Sequence, residues 1–212
     1  MRNSWIRAWI ATAGLLVAAA VLVRDQSGAF LKVEEPVMTW LLDGTDTSIW
    51  DRAAFFSSST LLIAGTIVLA IIGFILQVRV GVTVIVTSLL GYFLSIFVRG
   101  VAGRPGPIPE VTEASFANTE IVQTGVFWGL VVMMLWWVGA PKLVWQVVLE
   151  ISIVIALVVA IRLVVAGEIW PSDAVGSVIV IVLSLVTAAA VLEANPAKLP
   201  SRKQEAEAAI AA

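Results

Sequence analysis

Six apolar runs, each close to the length that crosses a bilayer, leave this chain few folds to choose from. They cover roughly 6–23, 60–76, 80–98, 121–138, 143–165 and 174–192. A helix rises about 1.5 Å per residue, so runs near 20 residues match a hydrocarbon core of about 30 Å. Hydrocarbon admits only structures that satisfy their own backbone, helices or closed barrels. The runs are continuous instead of alternating, which selects helices. Composition agrees: 60% of the 212 residues are hydrophobic and 13% charged, against about a quarter charged in ordinary soluble domains. Arg2 and Arg7 flank the first run as they would in a signal peptide. Its apolar stretch exceeds the 7–15 residues of a typical signal core, so it reads as a retained anchor helix.

The connections set the arrangement. Residues 24–59 form the longest, and within it Phe30, Val33, Val37, Trp40 and Leu41 recur at helical spacing, which predicts a helix lying in the interface plane. Two connections, 77–79 and 139–142, are short enough to force antiparallel neighbours. From Ala194 onward the chain turns polar, with Pro196, Pro200 and an Ala/Glu/Lys/Gln-rich end. The expected division is therefore a six-span membrane domain, 1–193, and a polar cytoplasmic tail, 194–212.

An even number of spans puts both termini on one side. That side carries seven basic residues against three acidic ones, and the other six against eleven. The positive-inside rule then places both termini in the cytoplasm of a multi-pass cell-membrane protein. Tryptophans form belts to match, with Trp5, Trp9, Trp136, Trp137 and Trp145 at the inner interface and Trp40, Trp50 and Trp170 at the outer one. The chain has no cysteine and no histidine. Thiolate chemistry is excluded, and so are the commonest general base and any phosphohistidine.

In this topology three polar stretches meet on the outer face: RGVAGRPGP (99–107), SFANTE (115–120) and IRLVVAGEIWPSDAVG (161–176). Arg99, Arg104 and Arg162 stand at helix ends, where a guanidinium keeps its head in water or meets an anion. Planar, permanently charged groups of this kind suit phosphate and carboxylate sites.

These stretches resemble, in order and spacing, the three motifs of the type 2 phosphatidic acid phosphatase and vanadium haloperoxidase superfamily: K-x6-R-P, P-S-G-H and S-R-x5-H-x3-D. The membrane members of that superfamily are six-helix lipid-phosphate phosphatases, and the resemblance runs from the interfacial helix through the last span. It implies an all-α, six-helix bundle with the site on the outer face. It also implies that the content of the motifs has degraded. In the first motif, Arg99 falls at the lysine and Gly106 at the phosphate-binding arginine; anchoring on Arg104-Pro105 puts Phe97 at the lysine instead. In the second, Ser115-Phe116 matches and Glu120 stands where the acid histidine belongs. In the third, counting back from Asp173 puts Ile169 at the nucleophilic histidine and Leu163 at the arginine. Counting forward from Arg162 puts Glu168 at the histidine and Ser172 at the aspartate. The run Trp170, Pro171, Ser172, Asp173 and Gly176 favours the first register.

No catalytic set is intact, and Glu120, Glu168, Ile169 and Asp173 are vestigial positions. Loss of a nucleophile from a comparable unit costs roughly 10⁶-fold in turnover. The reading is a non-catalytic protein that binds anionic lipid phosphate or scaffolds a membrane partner, with Arg99, Arg104 and Arg162 as phosphate-binding candidates. The alternative is a divergent phosphatase of phosphatidate or isoprenyl pyrophosphate working without histidine, since Asp and Glu do form acyl phosphates elsewhere. Three Arg against Glu120, Glu168 and Asp173, with Glu110 and Glu113 nearby, predict a pocket that neutralises itself, Arg162 and Arg99 contacting carboxylates. Membrane lipids, a membrane protein or a second copy are the expected partners; no nucleic acid, cofactor or metal is expected. Glu150 lies inside the fifth span, where a carboxyl is either functional or bonded to a neighbour such as Gln146 or Gln123. Gly125-x-x-x-Gly129 reads as close helix packing, and Trp128 as core.

Overall fold

The computed structural model describes residues 2–24, 29–44, 54–104, 106–107 and 116–193. Pro105, Glu110, Glu113, Ser115, Trp50 and the tail from Ala194 lie outside the described residues. Eight helices occur among those described: α1 (Arg2–Arg24), α2 (Ala29–Gly44), α3 (Ala54–Ser57), α4 (Ser59–Leu76), α5 (Val78–Ala102), α6 (Thr119–Trp137), α7 (Lys142–Val165) and α8 (Pro171–Glu193). Six of them, α1 and α4 to α8, are long and apolar enough to cross a membrane.

Each boundary has a local cause. Helices α4 and α5 are separated by one extended residue, Gln77 (φ −167°, ψ 133°), and the hairpin closes because Gly73 and Gly81 lack side chains. A Cβ on Gly73 would lie 2.8 Å from the Gly81 backbone nitrogen. Helix α5 ends at Gly103, whose left-handed φ of 59° suits glycine. Asn118 caps α6, its side chain accepting from the N–H groups of Glu120 and Ile121 at 2.8 and 3.3 Å. Pro171 opens α8 at the position where a missing N–H costs nothing. Span α5 overruns the expected 80–98 at both ends because Arg79 and Arg99 mark where side chains leave the apolar layer and not where the helix stops.

Helices α5, α6 and α8 pack on one another; α1 lies against α8 and α5, α4 against α5, and α7 against α6. Their shared core includes Val84, Val98, Val122, Val126 and Val180. Cβ atoms on Gly125 and Gly129 would come within 2.3 Å of Ile181 and 2.4 Å of Leu185, so these glycines set the approach of α6 to α8. Trp9 near the start of α1 donates to Thr187 near the end of α8 at 3.2 Å, so both lie at one end of the bundle. At the opposite end α2 lies beside α7. Its Val33, Val37 and Trp40 point away from the protein, while Glu34 and Met38 on the other face are buried. Met38 joins Ile155, Val159, Leu163 and Ile169 in a second apolar cluster.

Candidate functional site

At the end of the bundle away from Trp9 and Thr187, three arginines organise three groups of polar side chains. The most enclosed is built on Arg104, only 3% exposed. Its guanidinium donates to Glu34 Oε2 at 2.5 Å, Asp173 Oδ1 at 3.3 Å and Ser172 Oγ at 2.6 Å, and it lies 4.8 Å from the centre of the Trp170 ring. The same carboxylates hold the start of α8. Asp173 Oδ2 accepts from the Trp170 N–H at 2.8 Å, the reach-back bond of a capping box, and Glu34 Oε1 accepts from the Ser172 N–H at 2.8 Å. Arg104 therefore ties α2, the end of α5 and the first turn of α8 into one unit.

The second group surrounds Arg162 at the end of α7. It donates to Glu120 Oε1 at 2.6 Å and lies 3.6 Å from Glu168. Ser57 of α3 donates its hydroxyl to the same Glu120 oxygen. Burial pushes the Glu168 carboxyl above its usual range; Arg162 pulls it back and Glu120 adds to the rise.

The third group opens into a cavity. Arg99, near the end of α5, donates to Thr119 Oγ1 at 2.6 Å, and Ser95 donates to the same hydroxyl at 3.1 Å. Arg99, Ser57, Asn118, Thr119, Glu120 and Gln123 line one end of a space of about 920 Å³ between α4, α5 and α6. The remainder is walled mainly by apolar side chains such as Leu62, Ile67, Ile71, Phe74, Ile85 and Leu89. From Ile85 to Arg99 along α5 is about 21 Å at 1.5 Å per residue, more than half the thickness of a hydrocarbon core.

The backbone between motif stretches is shaped to fit. Ala117 adopts a left-handed φ of 57°, uncommon for a residue with a Cβ and typical of functional or tightly packed turns. That turn delivers Phe116 onto Gly176, where a Cβ would meet the ring at 2.6 Å. Glycine in W-P-S-D-x-x-G is thus required by the second motif stretch.

Among solved structures the chain is similar to a crystal structure of a transmembrane PAP2-type phosphatidylglycerolphosphate phosphatase from Bacillus subtilis. The TM-score is 0.71, at 15% sequence identity, over 87% of this chain and 94% of that one. The chain has the fold of the PAP2-type membrane phosphatases. No protein-family model matches the sequence, and no curated protein is significantly similar to it.

Within the PAP2-type fold, the candidate residues divide between these groups. Asp173 and Arg104 meet in the buried unit with Glu34. Glu120, Glu168 and Arg162 meet at the rim, and Arg99 lines the cavity together with Glu120. The two registers of the third motif split the same way. Ile169 and Leu163, at 1% and 0% exposure, belong to the apolar cluster. Glu168 and Arg162 face the polar rim. Phe97, the alternative first-motif position, is 67% exposed and turned away from the site.

Two participants carry no signal in the sequence. Glu34 sits in an unremarkable turn of the interfacial helix, and Ser57 in a one-turn helix outside every motif; only the tertiary approach of their elements brings them in. Among the described residues no group of three His, Cys, Asp or Glu side chains could hold a metal ion.

Proposed function

We propose that this chain is a non-catalytic lipid-binding membrane protein of the PAP2-type fold, holding one phosphate-bearing lipid in the cavity between α4, α5 and α6. The cavity's polarity carries the reading: one end gathers a guanidinium, a carboxylate, hydroxyls and amides, and the rest forms an apolar trough long enough for much of an acyl chain. Its volume is typical of a ligand site, about 300–1,000 Å³. Arg99 would meet the phosphate. Its guanidinium lines the polar end of the cavity beside Asn118, Thr119 and Gln123, whereas Arg104 is enclosed between Glu34 and Asp173 away from that lining.

Glu120 refines the ligand. A phosphate monoester brings close to two negative charges beside a carboxylate that Arg162 already pairs, whereas a phosphodiester brings only one for Arg99 to meet. The reading therefore favours the diester. Native mass spectrometry of the purified chain with phosphatidylethanolamine and phosphatidic acid tests it: one bound lipid per chain, the diester preferred, and binding lost in Arg99→Ala. Absence of any lipid adduct contradicts the reading.

A second reading rests on the Ser57 to Glu120 hydrogen bond. In a divergent phosphatase that hydroxyl would attack phosphorus and pass its proton to Glu120. The ester P–O bond would break with the lipid alcohol leaving on that proton, and water would then hydrolyse the phosphoserine to release phosphate. A carboxylate held by Arg162 is a weak base for a serine hydroxyl, which disfavours this course. Phosphate release that disappears in Ser57→Ala would favour it.

A further inference from the structure

Helix α7 carries a carboxyl in the wrong place for a monomer. Glu150 lies eight residues beyond Lys142 and twelve before Arg162, about 12 Å and 18 Å along the axis at 1.5 Å per residue. That depth is within the hydrocarbon layer, beyond the reach of a glutamate to either interface. Glu150 is exposed, and among the described residues it makes no hydrogen bond or ion pair. Gln123, a partner expected from the sequence, lines the lipid cavity on α6 instead. At 100° per residue, Glu150 points about 180° away from Ser152, Ile155, Val159 and Leu163, the buried face of α7. No side-chain rotation brings it to a neighbour within this chain.

Glu150 lies on a broad exposed face of α7 that also includes Val144, Leu149, Ile151 and Ile153. Within that face Leu143, Val147, Glu150, Val154, Leu157 and Ile161 form one stripe with spacings of four, three, four, three and four. This is the seam pattern of two helices packing at a shallow left-handed crossing, and one polar residue within such a seam sets register and partner number. A carboxyl facing acyl chains is unfavourable unless another polar group meets it.

We infer that α7 is the seam of a parallel homodimer, in which Glu150 of each copy accepts a hydrogen bond from the Gln146 amide of the other. Both copies of a membrane protein share one topology, so a two-fold axis along the membrane normal places α7 beside its own copy at equal depth. Gln146 lies one turn from Glu150 and borders the same stripe. The chain thus brings its own donor to its own acceptor, twice per dimer. A foreign helix would have to supply that donor at the matching depth.

The absence of cysteine makes the test direct. Single cysteines replace Val147 or Val154 on the seam, and Val178, 53% exposed on α8, as an off-seam control. The full-length chain is oxidised in native membranes and in liposomes at high dilution. Disulfide-linked species of twice 22.6 kDa are expected from Val147→Cys and Val154→Cys and not from Val178→Cys. Adding Glu150→Ala or Gln146→Ala should weaken self-association about tenfold, given that interhelical hydrogen bonds in membranes contribute modestly each. Cross-linking equal at position 178, no cross-linking on the seam, adducts of a foreign mass, or no response to Glu150→Ala would each overturn the inference.

Discussion

Replacing Arg104 with methionine should destabilise the chain more than any other change at the arginine sites. The side chain is 3% exposed and sits between Glu34 and Asp173, themselves 7% and 0% exposed. Methionine fills much of the same volume but leaves two buried carboxylates without their cation. Breaking a buried pair from one side costs about 3–5 kcal/mol, because a charge is stranded. For a chain of this length about 2–4 °C of melting temperature accompanies each kcal/mol, which gives a fall of about 6–20 °C. Tryptophan fluorescence during heating in detergent reads it, Trp170 itself stacking on the guanidinium. The triple variant Arg104→Met, Glu34→Gln, Asp173→Asn should recover most of the loss, since it strands no charge and Asn can still accept from the Trp170 N–H. A fall below about 2 °C in Arg104→Met, or no recovery in the triple variant, would refute the view that this unit is a structural staple.

The rim responds to acid through Glu168. Its carboxyl sits above the usual range, so the folded chain binds a proton that the unfolded chain does not in the interval between the two values. Stability should rise as pH falls through that interval, and Glu168→Gln should remove this part of the dependence in melting curves taken against pH. Asn118→Ala removes the cap of α6 and should cost about 1 kcal/mol by chemical denaturation, since two N–H groups lose their acceptor. Gly73→Ala should cost about 1–3 kcal/mol in the same assay, because the new methyl meets the Gly81 backbone and no side chain can move aside; a neutral result would show that the α4–α5 hairpin opens easily.

The spans were legible because a bilayer demands long uninterrupted apolar runs, and only their ends shifted, where Arg79 and Arg99 extend the helix beyond the apolar stretch. W-P-S-D-x-x-G was legible as a helix start, with Pro171 opening α8, Asp173 reaching back to Trp170 and Gly176 clearing Phe116. What each arginine touches was harder to read. Arg162 lies with Glu120 and Glu168, but the acid beside Arg104 includes Glu34, seventy residues away in sequence, and the contacts of Arg99 include the Thr119 hydroxyl on α6. Such pairings follow from how α2 and α6 approach the bundle, which local patterns do not encode. Nor could composition tell which way Glu150 faces. That depends on which side of α7 packs against α6.

The central claim is that the cavity holds a lipid without cleaving it, and one measurement addresses both halves. The purified chain is incubated with an equimolar mixture of phosphatidylethanolamine and phosphatidic acid, and the masses of bound and free lipid are determined by native mass spectrometry. One intact lipid per chain is predicted, enriched in the zwitterionic diester and absent from Arg99→Ala, with the phosphatidic acid pool unchanged. An empty cavity, or conversion of phosphatidic acid to diacylglycerol, would contradict the account.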